Sequence, residues 1–436
     1  MKPNILLVTI DSLRADAVSG QQPPTPTLET IGDQSHRYDA AFTQAPFTTF
    51  SMPSLFTSRY PSGLAYLEFS ESTVGVYIDD ETTLPGALRD DGYETAGFHS
   101  NPLLSNLFGF DRGFNTFDAQ LPFSNTDALP GRAKILADKL FRLVRKHPYL
   151  PAETVNERAL EWLADCDGDR PFFLWVHYMD VHGPYITKEG NHYLNKYRGE
   201  RLWRKGVTRP EDVTDAERTR LRELYQEEVE YTDTQLGELF EGLRAHGCWD
   251  ETIVVVTADH GEAFGEHGAY SHPHQLYDEL THVPLLVRAP ERDAGTVESP
   301  VELLDLAPTL LDHAGVAVPD GFSGRPLVES QSAVEAAAIS EADIVPAYNG
   351  SIRTERYRYI RNDVANREEL YDVQADPAQE HNLINEQLLV REELAARIEA
   401  HLTTPGRNAG GDRTVRQANV ADTAVEDRLE DLGYLE

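Results

Sequence analysis

The chain of 436 residues carries 73 Asp and Glu against 39 Lys and Arg, a formal net charge of −34, and 40 % of its residues are hydrophobic. This hydrophobic share excludes an intrinsically disordered chain, and the acid surplus disfavours nucleic acid or an anionic membrane as a partner. Seven residues are Lys and none follows Lys205. Because salt screens self-repulsion, acid excess with little Lys favours a surface adapted to concentrated salt, and we expect a halophilic archaeon as the source.

Cys166 and Cys248, the two cysteines, lack metal-ligand spacing, so we expect neither a cysteine-ligated metal nor a disulfide framework. No apolar run approaches the roughly 18 residues of a membrane span, and no signal-peptide pattern follows Met1. We therefore expect a cytoplasmic protein without a membrane partner. The sequence leaves the oligomeric state open.

Apolar runs alternate with helical periodicity along most of the chain, which predicts an α/β domain with a largely buried sheet. The expected strands are 4–10, 95–98, 172–176, 252–257 and 283–287, and the expected helices are 52–56, 83–92, 153–165 and 214–245. Shorter strands at 351–354 and 357–361 and a helix at 388–402 predict a smaller α+β subdomain. We divide the chain into a main domain (1–324), this subdomain (325–402), and a polar linker with a C-terminal tail (403–436).

Polar groups follow three of the predicted strands. Asp11 ends the first, the cluster from His177 to His182 follows the third, and Asp259-His260 follows the fourth. Ligand-binding groups in open α/β sheets collect at the carboxyl ends of strands. Carboxylate and imidazole ligands suit Mn²⁺, Zn²⁺ or Mg²⁺, and a more oxygen-rich set would suit Ca²⁺. The sequence therefore predicts a divalent metal site at this edge.

A Thr- and Ser-rich turn lies between these strand ends and precedes the helix predicted at 52–56. A hydroxyl becomes a useful nucleophile when a metal lowers its pKa, and a helix N-terminus favours an anionic ester oxygen. Local spacing alone leaves several candidates open, namely Thr48, Thr49, Ser51, Ser54 and Thr57.

Several motifs together resemble the sulfatase branch of the alkaline phosphatase superfamily. They occupy residues 4–16, 26–29, 45–61, 257–268, 283–285 and 369–383. The resemblance implies an alkaline-phosphatase-like three-layer sandwich with a large mixed sheet and a small C-terminal α+β subdomain. It also implies hydrolysis of sulfate or phosphate esters with a divalent metal.

Position by position, the resemblance implies that Thr48 is the nucleophile. It also implies four metal ligands, namely Thr48, Asp11, Asp259 and His260. It implies that His182 contacts the ester. A basic residue facing the leaving group or the ester oxygens corresponds to either His272 or His274, and both remain candidates. We expect Arg14 to support Asp11 or the nucleophile loop. A second metal held by Asp180, His182 and a histidine in 267–274 is the less favoured arrangement.

Four positions depart from the sulfatase pattern. Thr48 replaces the Cys or Ser that becomes formylglycine, and a Thr cannot form that aldehyde. Ser12 replaces a second Asp, residues 98–101 lack the family's lysine, and His260 stands where many sulfatases have Asn. A Thr nucleophile with an Asp-His pair is more similar to phosphoryl-transferring relatives such as nucleotide phosphodiesterases and lipoteichoic-acid synthases.

The sequence thus predicts a metal-dependent hydrolase of sulfate or phosphate esters that acts on a small anionic ester or a glycan. Two alternatives stay open. One is a phosphoryl transferase or mutase of the same superfamily, and the other is a non-catalytic binder of sulfated or phosphorylated glycans.

Overall fold

A computed structural model of the protein describes residues 2–18, 24–70, 73–78, 81–119, 149–166, 168–185, 192–290, 292–327, 336–343, 348–404 and 415–417. The α-helices in these ranges are α1 (Pro26–Gly32), α2 (Thr48–Thr57), α3 (Leu84–Asp90), α4 (Ala152–Asp165), α5 (His192–Thr208), α6 (Asp215–Ala245), α7 (Asp278–Thr281), α8 (Leu306–His313) and α9 (Leu388–Leu402). None of the helices in the described ranges combines the length and the apolar character needed to cross a membrane.

The strands of the main domain are β1 (Asn4–Ile10), β2 (His36–Tyr38), β3 (Ala41–Phe42), β4 (Ala65–Ser70), β5 (Thr73–Tyr77), β6 (Glu94–Phe98), β7 (Thr116–Asp118), β8 (Phe172–Tyr178), β9 (Thr252–Ala258), β10 (Ala263–Phe264), β11 (Tyr270–Ser271), β12 (His282–Val283), β13 (Leu285–Arg288), β14 (Gly295–Val297) and β15 (Val301–Glu302). The strands that follow are β16 (Ala337–Asp343), β17 (Asn349–Thr354), β18 (Tyr357–Asn362), β19 (Arg367–Asp372) and β20 (Val415–Gln417).

The main sheet has the order β14-β2-β13-β9-β1-β8-β6-β7. Strands β9, β1, β8, β6 and β7 run parallel, whereas β13 is antiparallel to both β9 and β2. β1, β8 and β9 are almost fully buried and rich in Val, Ile, Leu and Phe, as expected for strands covered on both faces. The prediction of a mixed sheet with a buried parallel centre is confirmed.

Helices cover both faces of this sheet. Phe56 of α2 packs edge to face on Trp175, with ring centroids 4.8 Å apart. Trp162 of α4 packs edge to face on Phe172, with centroids 6.1 Å apart. Phe172 and Trp175 lie three positions apart on β8, so their side chains point to opposite faces. Helices α1 and α6 pack with α4 on one side, and α3 and α8 pack with α2 on the other. The architecture is therefore a three-layer sandwich.

A second, four-stranded antiparallel sheet has the order β16-β17-β18-β19 and is covered by α9. Its core contains Tyr348, Ile352, Tyr359, Leu370, Leu394 and Ile398. The predicted strands at 351–354 and 357–361 correspond to β17 and β18, whereas β16 and β19 were not predicted because acidic residues interrupt their apolar pattern. In the segment predicted as linker and tail, β20 pairs with β4, and residues 405–414 and 418–436 lie outside the described ranges.

One buried ion pair and one buried hydrogen bond join the second sheet to the main domain. The fully buried Arg358 on β18 places Nε 2.7 Å from Asp278 Oδ1 at the start of α7. At the other end, Glu341 on β16 lies 2.8 Å from His401 of α9 and also accepts the Ser62 backbone N–H at 2.8 Å. Because breaking a buried pair leaves an uncompensated charge, these contacts hold the second sheet against the loops that follow α2 and β11.

Candidate active site

Strand register places two carboxylates at one level of the sheet. Ile10 of β1 pairs with Tyr178 of β8 on one side and with Ala258 of β9 on the other. The next residues along β1 and β9 are Asp11 and Asp259, and both are fully buried. Parallel neighbours that end together therefore bring these two carboxylates side by side, as the sequence predicted.

A strained turn after β1 orients the two carboxylates. Ser12 adopts a left-handed backbone conformation with φ of 62°, which is uncommon for a residue with a side chain. Its backbone N–H donates to Asp259 Oδ1 at 3.2 Å, and its hydroxyl donates to Asp11 Oδ1 at 3.1 Å. Tyr225 of α6 holds the turn, because its hydroxyl donates to the Ser12 carbonyl and accepts from the Arg14 N–H, each at 2.9 Å.

Thr48 begins α2 and faces the carboxylates. It is 1 % exposed, and Phe47 is the N-cap residue. Its hydroxyl oxygen lies 2.8 Å from Asp259 Oδ2 and 3.4 Å from Asp11 Oδ2. The backbone N–H groups of the first helical turn have no partners inside the helix, so an anionic oxygen beside Thr48 would meet donors there.

Two of the four competing hydroxyls of the turn, those of Ser54 and Thr57, bond to the helix itself. Ser54 donates to the Phe50 carbonyl at 2.9 Å, and Thr57 donates to the Pro53 carbonyl at 2.7 Å. The structure places Thr48, and neither of these two, within hydrogen-bond distance of Asp259.

Two histidines border the carboxylates. His260 Nε2 lies 3.2 Å from the Thr48 hydroxyl and 3.4 Å from Asp259 Oδ2, while its Nδ1 lies 2.9 Å from the Gly261 carbonyl. An Nδ1–H donated to that carbonyl leaves the Nε2 lone pair facing Thr48.

His177 of β8 was noted in the strand-end cluster but was not predicted as a ligand. Its Nε2 lies 3.4 Å from Asp11 Oδ2 and has no hydrogen-bond partner among the described residues. A buried imidazole nitrogen without a partner is unfavourable unless something else binds it.

These groups fit a divalent cation. Ligand atoms of Asp11, His177 and Asp259 lie within 4.8 Å of one another, the one cluster of this kind in the described part of the chain. Carboxylate oxygens with imidazole nitrogen are ligands typical of Zn²⁺ and Mn²⁺. The orphaned Nε2 of His177 is the observation that favours an ion here.

The electrostatics of the two carboxylates also favour a cation. Burial raises the pKa of Asp11, but His182, His177 and His260 outweigh it and hold that pKa well below its usual range. Burial raises the pKa of Asp259 above its usual value, and the Asp11 charge adds to the effect. Two adjacent buried carboxylates repel each other when both are ionised, and a cation between them removes this repulsion.

The rings of His182 and His272 cluster with that of His260, whereas the ring of His274 does not. The His272 ring centroid is 4.7 Å from that of His260 and 5.0 Å from that of His182. The exposed His274 instead stacks on Phe47, with centroids 4.5 Å apart and planes inclined by 17°. Of the two predicted alternatives, the structure brings His272 into the cluster and places His274 at its rim.

Glu262 and Asn101 are site residues that the sequence reasoning did not select. Burial raises the pKa of Glu262, but the His272 imidazole outweighs this and lowers it. Burial lowers the pKa of His272, but Glu262 outweighs this and raises it. Asn101 occupies the segment that lacks the family's lysine, and its amide donates to Asp11 Oδ2 at 3.1 Å. Strand-end spacing gave no signal for either residue, since neither directly follows a strand.

One further expectation needs correction, and the less favoured second metal gains no support. Arg14 does not hold Asp11 or the nucleophile loop. Its guanidinium contacts Asp16 at 2.6 Å and Glu266 at 2.8 Å, and donates to the Glu262 carbonyl at 2.8 Å, so these three partners use its N–H groups. Asp180 accepts the Ala152 N–H at the start of α4 at 2.9 Å, a capping role that does not favour a second metal there.

Several known proteins are similar to this chain in sequence or in fold. The Sulfatase family model matches residues 3–316, and a model described as N-sulphoglucosamine sulphohydrolase, C-terminal, matches residues 265–405. Relatives include an uncharacterized sulfatase, YidJ, of Escherichia coli (25 % identity, 88 % of this chain and 84 % of the relative) and a choline-sulfatase of Rhizobium meliloti (24 % identity, 88 % and 82 %). The solved phosphonate monoester hydrolase of Silicibacter pomeroyi superposes with a TM-score of 0.71 at 19 % identity, covering 94 % of this chain and 96 % of that one.

Proposed function

Because the chain belongs to the sulfatase family and is an ester hydrolase of that family, we propose that it hydrolyses sulfate or phosphate esters with Thr48 as the nucleophile and with a divalent metal. One observation carries the proposal. The Thr48 hydroxyl lies at a helix N-terminus, 2.8 Å from Asp259 and 3.2 Å from His260, inside a buried cluster able to bind a cation.

Asp11, Asp259 and His260 would hold the ion, with His177 as a further donor. When bound, the ion lowers the pKa of the Thr48 hydroxyl and neutralises charge on the ester. Thr48 Oγ1 then attacks the sulfur or phosphorus atom, and its proton is accepted by Asp259 Oδ2. The N-terminus of α2 orients the ester oxygens.

His182 and His272 serve the other side of the ester in this mechanism. Burial lowers the pKa of His182, and its Nδ1 lies 2.5 Å from the Gly183 carbonyl. Its Nε2 would donate to an ester oxygen once it takes up a proton as the anionic ester binds. His272 faces the leaving oxygen. Water afterwards cleaves the covalent Thr48 ester and regenerates the hydroxyl, so the enzyme performs two displacements.

Phosphoryl transfer is the chemistry that Thr48 favours. Formylglycine cannot form from a Thr, so the aldehyde-based route of sulfatases is closed to this chain. The substrate is proposed to be a small anionic ester or a glycan, which the naming of one relative as a choline-sulfatase supports.

The test is Thr48→Ala beside Thr49→Ala, its neighbour on the same helix. Both proteins are assayed in molar KCl, in keeping with the proposed halophilic source, on an aryl sulfate, a phosphate monoester, a phosphate diester and a phosphonate monoester. Mg²⁺, Mn²⁺, Zn²⁺ and Ca²⁺ are added in turn.

We expect metal-dependent turnover that Thr48→Ala abolishes and that Thr49→Ala retains. Equal turnover by Thr48→Ala and the natural protein would refute the nucleophile. Anion binding without turnover of any ester would identify a non-catalytic binder. Phosphate exchange without released phosphate would identify a transferase or mutase.

A further inference from the structure

We propose that Glu262 is a positioning residue, which together with Tyr185 fixes the His272 ring so that its Nε2 protonates the leaving oxygen of the ester. This inference rests on the proposed function, because it concerns the leaving-group side of the same displacement. It assigns a role to two side chains that contact neither the nucleophile nor the carboxylate pair.

Both carboxylate oxygens of Glu262 are engaged. Oε1 accepts the Tyr185 hydroxyl at 2.8 Å, and Oε2 lies 3.3 Å from His272 Nδ1. Glu262 is 0 % exposed and Tyr185 is 1 % exposed. Water therefore does not compete for the carboxylate, and its orientation is set by these two partners.

The backbone around Glu262 allows little adjustment. Its N–H donates to the Glu279 carbonyl at 3.0 Å, and the preceding Gly261 lies so close that a Cβ there would be 2.1 Å from the same carbonyl oxygen. The Tyr185 ring packs against Tyr225 and Phe264, with centroid distances of 5.8 and 6.1 Å. The carboxylate is thus presented to His272 from a rigid support.

Three separate segments form a chain of contacts from Tyr185 through Glu262 to His272. Tyr185 follows β8, Glu262 follows β9, and His272 follows β11. His272 Nδ1 faces Glu262 Oε2 at 3.3 Å and the Ser271 hydroxyl at 3.2 Å, so the ester would be reached through Nε2. A carboxylate on one imidazole nitrogen selects the ring orientation and stabilises the doubly protonated ring, the role of the third member of a catalytic triad.

One proton moves from His272 to the leaving oxygen in the first displacement and returns in the second. Thr48 Oγ1 forms a bond to sulfur or phosphorus while the bond from that atom to the leaving oxygen breaks. The leaving oxygen takes the proton from His272 Nε2, which leaves a neutral ring with its Nδ1–H on Glu262. In the second displacement the attacking water gives a proton back to Nε2.

The experiment measures leaving-group dependence in Glu262→Gln and Tyr185→Phe. A 4-nitrophenyl ester needs little protonation of its leaving oxygen, whereas an alkyl ester of the same acid needs much. We expect Glu262→Gln to lose about 10- to 100-fold in kcat on the alkyl ester, as for loss of a supporting carboxylate. The loss on the 4-nitrophenyl ester should stay within about threefold, and Tyr185→Phe should show a smaller loss of the same pattern.

Glu369→Gln is the matched control. It removes a buried carboxylate that accepts a Tyr277 hydroxyl at 2.8 Å on the second sheet, so it should leave the ratio of the two rates unchanged. Equal losses on both esters in Glu262→Gln would indicate a purely structural role and overturn the inference.

The remaining outcomes separate this inference from the proposed function. If Glu262→Gln fails to fold, Tyr185→Phe decides by the same ratio. If Thr48→Ala retains turnover, the proposed function fails. If Thr48→Ala is inactive while neither Glu262→Gln nor Tyr185→Phe changes the ratio, only the positioning role fails.

Discussion

Glu279 on α7 carries a buried carboxyl group without a hydrogen-bond partner for Oε1 in the described part of the chain. Its side chain is 8 % exposed, and the His267 imidazole lies 3.7 Å away. Burial, with the charges of Glu266 and Asp278 adding to it, raises the pKa of Glu279 from 4.5 to about 7. We predict that Glu279→Gln makes the protein more stable at pH 8.

The sign and size follow from proton linkage. Between pH 4.5 and 7 the unfolded chain has lost the Glu279 proton while the folded protein keeps it. The stability present below pH 4.5 is therefore lost as pH rises through about 7, and it does not return above that. A shift from 4.5 to about 7, at about 1.4 kcal/mol per pH unit, gives up to about 3 kcal/mol.

Chemical unfolding curves at several pH values between 4 and 8 measure this difference. Because Gln cannot ionise, the variant should gain stability over the natural protein progressively up to about pH 7, with a plateau beyond. Glu230→Gln, at an exposed position on α6, is the control and should follow the natural protein. A difference that stays constant over this pH range would refute the reasoning.

Three further predictions concern the metal site and its supports. Chelation with EDTA should lower the melting temperature and abolish turnover, because Asp11 and Asp259 are left to repel each other. Adding a divalent ion should restore both. An unchanged melting temperature would contradict the cation site. Tyr225→Phe should destabilise the protein by about 1–3 kcal/mol in denaturant unfolding, because it leaves the Ser12 carbonyl and the Arg14 N–H unpaired. It should also weaken metal affinity in a titration. Full affinity would show that the turn does not need this hydroxyl. Asp233→Ala should lower the free energy of unfolding by about 1 kcal/mol in the same assay without altering the KM. Its carboxylate, on a neighbouring helix, caps the first N–H groups of α1. A changed KM would show a role beyond capping.

The pattern of residues along the chain was enough to predict the central sheet and a polar site at its edge. Buried parallel strands such as β1 and β9 are continuous apolar runs, and this local pattern can be read without knowing the neighbours. Asp11 and Asp259 directly follow these runs, so their meeting requires only that adjacent parallel strands end together. The short strands β2, β14 and β15 were missed, since two or three residues carry no periodicity.

The side chains that complete the site could be identified only from the folded arrangement of the loops. His272 and His274 are two residues apart and equivalent in the sequence, but the hairpin of β10 and β11 turns one ring toward His260 and leaves the other on Phe47. Glu262 and Asn101 became visible through contacts with residues ten or more positions away. Such contacts depend on where loops from different strands converge, and no local pattern of residues records that position.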